Sequence, residues 1–190
     1  MIRLATSIRV LTAAALASTL LVSGAAVALG TSRADFTLRL DLRTAPLIAG
    51  ERIATLADAI RTFGRPARLS ALPASRHACR AAWPGRGLAI DFSITALVAC
   101  SATVLGSWSE VIATDPRWHT TAGLRVGDSS AHLHALYPAA RRLDFLGQGP
   151  LWELETGGPY CDGGPPLSLA ARTPGHRVNA LVIVHVPACG

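Results

Sequence analysis

The chain has 190 residues, of which 50% are hydrophobic and 16% are charged, and its formal net charge is +6. A disordered chain would be poorer in apolar residues and richer in charge, and a large multidomain enzyme would be longer, so both classes are excluded. All 18 basic residues are arginines, and nothing in the composition identifies a reaction.

Residues 1–28 are predicted to be an export signal. Arg3 and Arg9 precede an apolar run over residues 10–22, and Ala26-Val27-Ala28 fits an A-x-A cleavage site. Cleavage would remove two arginines and leave 16 against 12 acidic residues, a net charge of +4. The alternative is an uncleaved signal that tethers the protein to the membrane, because about 20 apolar residues can span a bilayer. In both cases the protein is expected to be secreted or to stay in the cell envelope.

The first elements after the signal are a strand and a short helix. Apolar and polar residues alternate over residues 36–43, which predicts a half-buried strand. Thr55 can cap a helix of about two turns, with Asp58 near its positive N-terminal dipole. Gly64 and Pro66 are expected to end this helix. Its apolar stripe is predicted to be Leu56, Ile60 and Phe63. Four strands should follow, at about residues 77–84, 87–93, 95–105 and 108–114.

The same order of elements recurs in the second half of the chain. Residues 49–54 and 122–127 both begin with the pattern A-G-x-R, 73 residues apart. Asp128 is predicted to cap a second helix and Pro138 to end it. The apolar stripe of that helix is predicted to be Leu133, Leu136 and Tyr137. Strands are predicted at about residues 142–146, 150–155, 166–172 and 178–186.

These patterns predict an α+β fold made of two related units, each a short helix packed on a small antiparallel sheet. The first unit is predicted to cover residues 29–114 and the second residues 115–190. The Gly/Pro-rich stretch 157–166 is interpreted as a loop within the second unit.

Four cysteines lie after the predicted signal, an even number that suits an oxidising compartment. They are Cys79, Cys100, Cys161 and Cys189. Their spacing contains none of the C-x-x-C pairs that zinc and redox sites use, and four cysteines allow three pairings. We expect Cys79–Cys100 and Cys161–Cys189, because these pairs close the shorter loops and place one disulfide in each unit.

Residues 121–129 (TAGLRVGDS), followed by Leu136-Tyr137-Pro138, resemble a G-L-x-x-G…Y-P module of small secreted bacterial proteins of unknown role. The module is similar to that of β-lactamase inhibitor protein and of the small outer-membrane lipoproteins of the SmpA/OmlA type. In the inhibitor family the module occurs twice, each copy carries a disulfide, and a concave sheet binds another protein. The resemblance therefore implies a fold of this kind. The chain departs from the pattern at Ala54, where the first copy lacks its second glycine, and it has no lipoprotein anchoring cysteine.

The sequence contains no motif of a nucleophilic hydrolase, a zinc protease or a phosphate-binding loop. A histidine base is still conceivable, from His119 with Asp115 or from His77 with Asp91. His132 and His134 are two positions apart, so they would not share a face of the predicted helix and are not interpreted as metal ligands. No catalytic residue, metal or cofactor is predicted.

The aromatic residues near arginine are the predicted contact residues for a partner. Trp, Tyr and Arg are over-represented at interaction hot spots. The candidates are Trp118, Arg117, Tyr160 and Trp108. We predict a non-catalytic binding protein whose partner is a protein or an anionic envelope polymer, and not a nucleic acid, because the arginines are dispersed. The alternatives are a small secreted hydrolase with a histidine base and a membrane-tethered structural factor of the envelope.

Overall fold

The computed structural model describes residues 35–40, 46–72, 75–93, 100, 107–143, 150–157 and 167–185. These residues form a larger sheet of eight strands, a smaller sheet of four strands and two α-helices. The coarse α+β prediction is therefore confirmed, with β structure predominating. The predicted signal, the strand at 95–105, Tyr160, Cys161 and Cys189 lie outside the described residues. Within the described part of the chain, no helix is long and apolar enough to cross a membrane.

The larger sheet is antiparallel throughout and has the strand order β4-β5-β6-β7-β12-β11-β10-β9. Its first four strands are Arg68–Leu72 (β4), Ser75–Trp83 (β5), Leu88–Ser93 (β6) and Ser107–Ala113 (β7). The other four are Arg141–Leu143 (β9), Leu151–Thr156 (β10), Leu167–Arg172 (β11) and Ala180–His185 (β12). Each set of four runs back and forth between neighbours, and β7 pairs with β12 to join the two sets.

The smaller sheet has the order β3-β2-β1-β8. Its strands are Phe36–Leu40 (β1), Pro46–Ile48 (β2), Glu51–Arg52 (β3) and Trp118–Thr120 (β8). Strands β1 and β8 are parallel although they are about 80 residues apart in sequence, with Phe36 opposite Trp118. A two-residue turn joins β2 to β3, and both of its residues have positive φ, 53° at Ala49 and 83° at Gly50. Such turns match the twist of a hairpin.

Helix α1 spans Leu56–Phe63 and has the predicted cap. The Asp58 amide donates to Thr55 Oγ1 at 3.2 Å, and the Thr55 amide donates back to Asp58 Oδ2 at 2.9 Å, a reciprocal capping box. Burial alone would raise the pKa of the Asp58 carboxyl, but the hydrogen bonds from Thr55 lower it below its usual value.

Helix α2 spans Ser130–Leu136, and here the predicted cap is wrong by one residue. Ser129 is the N-cap, because its Oγ accepts a hydrogen bond from the His132 amide at 3.1 Å. The Asp128 carboxylate instead accepts from the Arg125 amide at 2.8 Å and closes the preceding turn. A short polar residue can serve either purpose, so sequence alone could not choose between the two.

One face of the larger sheet, here called the apolar face, contributes to the main core. Its side chains include Ala81, Trp83, Ile90, Val111, Leu169 and Ile183. Helix residues Leu56, Phe63 and Leu133 and the smaller-sheet residues Leu38, Ile48 and Trp118 belong to the same buried cluster. Each half of the sheet also meets its own helix through a tryptophan on its second strand. Trp83 contacts Phe63 edge-on at 5.7 Å between ring centroids, and Trp152 contacts His134 at 4.5 Å.

Cys79 on β5 is bonded to Cys100, as predicted. This disulfide is typical of proteins that fold in an oxidising compartment. The described strands all lie in one compact unit, residues 33–190. The predicted boundary between residues 114 and 115 stays a prediction.

Candidate binding surface

Two of the residues predicted to contact a partner, Trp118 and Trp108, belong to the core instead. Trp118 is fully buried, stacks on Phe36 with 4.8 Å between ring centroids, and donates its Nε1–H to the Arg86 carbonyl at 2.7 Å. Trp108 is also buried in the main core. Residues 118–120 pair with β1, which carries the indole inward.

Arg117 holds two turns together. Its guanidinium donates to Asp115 Oδ1 at 2.8 Å and to the Gly85 carbonyl at 2.8 Å, and it lies over the Phe36 ring. The hydrogen bond to Asp115 raises the pKa of Arg117. Because these contacts tie residues 115–117 to the 3₁₀ turn Pro84–Arg86, Arg117 has a structural role here. The prediction of a contact role for Tyr160 stays untested, because that residue lies outside the described ones.

Two of the described histidines, His119 and His132, have oxygen atoms near their ring nitrogens. His119 Nδ1 lies 2.9 Å from the Thr120 carbonyl, while the carboxylate of Asp115 faces Arg117. His132 Nε2 is 3.8 Å from Asp128, and both side chains are partly exposed. Among the residues that the structure describes, no group of three or more His, Cys, Asp or Glu side chains could hold a metal ion. The side chain of His77 is not described, so its predicted pairing with Asp91 has no outcome.

The other face of the larger sheet, here called the second face, carries three rows of side chains. The strand registers place the first row across β5, β6, β7, β12 and β11, with Arg80, Asp91, Glu110, Val184 and Ser168. The middle row crosses all eight strands, with Arg68, Ala82, Ala89, Ile112, Val182, Ala170, Glu153 and Arg141. The third contains Ala180, Arg172, Leu151 and Leu143. The first and middle rows therefore bring residues from both halves of the chain side by side.

Four charged groups form a chain of ion pairs across the centre of the second face. Arg80 binds Asp91 through two hydrogen bonds, Nε to Oδ1 and Nη2 to Oδ2, each 2.7 Å long. Arg80 Nη2 is 3.9 Å from Glu110 Oε2, and Arg172 Nη2 donates to Glu110 Oε1 at 2.6 Å. Two parallel hydrogen bonds, as between Arg80 and Asp91, are the strongest geometry for arginine and carboxylate. The chain connects β5, β6 and β7 to β11.

Glu110 lies in a partly desolvated environment. Burial raises the pKa of its carboxyl and neighbouring Asp91 adds to the rise, whereas Arg172 and Arg80 oppose it. On the cation, the hydrogen bonds to Asp91 raise the pKa of Arg80. The Glu110 carboxylate thus depends on Arg172 and Arg80 to remain charged in a partly desolvated place.

A second charged group lies at the β9 end of the face. Arg141 Nη2 donates to Glu153 Oε2 at 2.8 Å, and the buried Ser168 hydroxyl donates to Glu153 Oε1 at 2.6 Å. Glu153 is therefore bonded on both oxygens, from strands on either side of its own. These two hydrogen bonds fix the buried Glu153 carboxylate in position, and the carboxylate in turn holds the Arg141 guanidinium group.

Between the two charged groups the second face is apolar. Ile112, Leu151, Ala170, Ala180 and Val182 form a separate buried cluster, with Ala89, Leu143 and Val184 partly buried against it. Arg172 starts in the third row and reaches Glu110 in the first, so its side chain crosses the middle row at Val182. The aliphatic stem of an arginine can cover apolar surface in this way while its charged end stays polar.

The sequence predictions missed these charged groups. One signal was present: the mainly apolar strands β6, β7 and β10 each carry an acidic residue in their interior, in the stretches LAIDFS, SWSEVIA and LWELET. Such a residue in a sheet strand needs a partner. Which arginine supplies it depends on the register between strands, and that is a tertiary property.

The smaller sheet bears a cleft of about 600 Å³ on its outer side. Thr37, Arg39, Leu47, Ala49 and Thr121 line it, together with Asp35. Asp35 is already engaged by Arg125 at 2.8 Å. The cleft offers hydroxyl groups, one arginine and a small apolar wall.

Comparison with known proteins identifies no relative of this chain. No protein-family model, curated protein or solved structure matches the chain. The resemblance of residues 121–138 to the inhibitor and lipoprotein modules therefore stays an expectation, and the function has to be argued from the residues of this chain.

Proposed function

We propose that this is an exported, non-catalytic binding protein that recognises another protein through the second face of its larger sheet. The observation that carries the proposal is the chain of ion pairs from Arg80 to Arg172, which is set partly exposed beside an apolar strip. A sheet face that served only as core would be uniformly apolar. A mixture of paired arginines and aliphatic side chains is typical of interaction surfaces.

The arrangement favours a protein over an anionic envelope polymer. The face has four arginines, Arg80, Arg172, Arg141 and Arg68, against the three carboxylates of Asp91, Glu110 and Glu153. Its net charge is therefore only about +1 (four minus three), and a long polyanion would gain little from it. The partly exposed apolar side chains beside the charges give a folded partner additional contact area that a polar polymer cannot use.

We also propose that the two halves are related units, as the sequence repeat suggests. In both halves a strand, a turn and a capped helix precede four antiparallel strands. Gly50 and Gly123 are aligned in the repeat and have similar φ angles, 83° and 94°. A binding surface made by joining two such units would place equivalent strands on either side of the β7–β12 pair.

Capture of a partner tests the proposed function. The exported protein would be immobilised and exposed to envelope and culture-fluid proteins of its own cells, with bound proteins identified by mass spectrometry. The test variant is Ala89→Glu, which places a charged side chain in the middle row of the second face. The matched control is Ala135→Glu on the exposed side of α2.

We expect one protein to be retained in near-equal amount, to be lost at least about tenfold with Ala89→Glu, and to be kept with Ala135→Glu. The melting temperatures of both variants would show that they are folded. The proposal fails if no protein is retained, or if both variants retain the partner as well as the unaltered protein does.

A further inference from the structure

We infer that the partner of the second face presents an acidic segment, with Asp or Glu side chains next to aliphatic ones. The inference rests on the proposed function and specifies the chemistry of the partner at the same surface. It follows from the difference in solvent exposure between the arginine and the carboxylate in the ion pairs of the second face.

In two of the three pairs the arginine is much more exposed than its carboxylate. The side-chain exposures are 37% for Arg80 against 4% for Asp91, and 60% for Arg141 against 4% for Glu153. For Arg172 and Glu110 they are nearly equal, 21% and 18%. The carboxylates of Asp91 and Glu153 thus lie at the floor of the face, and the guanidinium groups of Arg80 and Arg141 lie above them. A face with only a small net positive charge is therefore more strongly cationic in the layer that a partner would touch.

Arg80 also keeps a donor for a second acceptor. Arg80 uses Nε and Nη2 for Asp91, and within the described part of the chain no acceptor is bonded to its Nη1. An arginine has five N–H groups in a planar fork, so a guanidinium that is fixed from below can bind a second carboxylate from above. Because Asp91 already holds Arg80 in position, little side-chain entropy remains to be lost when the partner binds.

The apolar strip defines the rest of the partner's segment. Ala89, Val184 and Leu143 are partly exposed. Ala89 lies in the row next to that of Arg80, on the neighbouring strand, and Val184 lies opposite Glu110 in the same row. Leu143 is two residues from Arg141 on β9. A segment that places carboxylates on Arg80 and Arg141 would therefore cover aliphatic side chains between them. Acidic residues interspersed with Leu, Ile or Val fit this pattern.

Site-specific photo-crosslinking in the producing cells tests the inference. The full chain would carry a benzoyl-phenylalanine at Leu143 or at Ala89, and at Ala135 on α2 as the matched control. Adducts would be isolated after irradiation, and the cross-linked peptide would be sequenced by mass spectrometry. We expect both second-face positions, but not position 135, to give the same protein adduct, cross-linked within a few residues of at least two Asp or Glu side chains.

The two levels of the proposal fail in different ways. If the second-face positions give no protein adduct above that of position 135, or only a glycan or lipid adduct, the proposed function fails. If they give a protein adduct within a neutral or basic segment, the proposed function stands and the acidic-segment inference is overturned.

A charge test on the identified partner completes the experiment. The double variant Arg141→Gln/Glu153→Gln removes an outer cation and does not leave its buried partner as an unpaired charge. We expect binding about tenfold weaker and less sensitive to salt, whereas Arg141→Lys retains most of the affinity. Arg61→Gln on α1, which removes an exposed cation away from the face, is the control and should bind unchanged. Unchanged binding by the double variant, or an equal loss with Arg61→Gln, contradicts the inference.

Discussion

The two faces of the larger sheet are buried by different chemistry. On the apolar face, Trp83, Ile90 and Val111 pack into a cluster that includes both helices. On the second face, Asp91 and Glu153 are almost as inaccessible, but they are covered by arginine side chains from neighbouring strands. The comparison indicates that one face supplies most of the stability and the other holds specific groups in defined positions. Buried ion pairs contribute little net stability because the loss of hydration offsets the attraction.

The largest effect is expected on the apolar face, from Trp83→Ala. The variant loses the contact with Phe63 and the hydrogen bond to the Gly64 carbonyl, and it leaves a cavity, so we expect a loss of about 4 kcal/mol in the free energy of unfolding. Trp152→Ala is the matched variant in the other half. Trp152 is only half-buried, so its loss should be nearer 2 kcal/mol. Urea unfolding measures both, and equal losses would contradict the expected difference.

Removing the disulfide should have the next largest effect. Cys79→Ala together with Cys100→Ala opens a loop of 21 residues and is expected to reduce the free energy of unfolding by about 3 kcal/mol. Urea unfolding of the oxidised protein and of the double variant gives the difference. If a reducing agent destabilises the double variant as much as it destabilises the unaltered protein, the effect does not come from this disulfide.

On the second face, a single and a double substitution should differ. Asp91→Asn leaves Arg80 without its charged partner, and we expect a loss of about 2 kcal/mol, reduced from the fully buried case because Arg80 is partly exposed. Replacing both with apolar residues, Arg80→Met and Asp91→Leu, should change stability by less than about 1 kcal/mol. A double variant that is less stable than the single one would mean that the ion pair itself stabilises the fold.

The helix caps should have a smaller effect. Thr55→Ala removes one side of the capping box of α1 and is expected to reduce stability by about 1 kcal/mol. Ser129→Ala on α2 removes a single cap hydrogen bond and should cost somewhat less. Thermal unfolding would resolve the order, and a larger effect at Ser129 would contradict it.

The smallest expected effect is a change of stability with pH that comes from Glu110. Its pKa is raised by burial, so the folded state binds a proton more readily than the unfolded chain does. The stability of the unaltered protein relative to Glu110→Gln should therefore increase as the pH falls from 7 towards the ordinary carboxyl value of 4.5. Unfolding curves of both proteins across this range measure the difference, and a difference that decreases with falling pH would show that the pKa is lowered instead.

Local features of the fold could be predicted from the sequence. The helix α1 with its cap at Thr55, and the strands β5, β6, β7, β10, β11 and β12, lie within a few residues of their predicted positions. Alternation of apolar residues and the capping pattern act over two to four residues, so they leave a direct trace in the sequence.

Features that depend on distant partners could not be predicted. The short strands β2, β3 and β8 are too brief for a period to be visible, and the parallel pairing of β1 with β8 brings Phe36 to Trp118 across most of the first half. For the same reason the sequence did not show that Trp118, a candidate contact residue, is buried. The second face is the extreme case, because Arg172 reaches Glu110 only when β12 lies between β11 and β7.

The position of β12 also constrains the order in which the chain can fold. This strand lies at the centre of the larger sheet, yet it follows all the other described strands in sequence. Until residues 180–185 arrive, β7 and β11 each have an unpaired edge, and such edges are where strands pair wrongly with other chains. Contacts between distant segments also form slowly. A chaperone that kept the chain extended until β12 was available would therefore increase the yield of folded protein more than one that acted on either half.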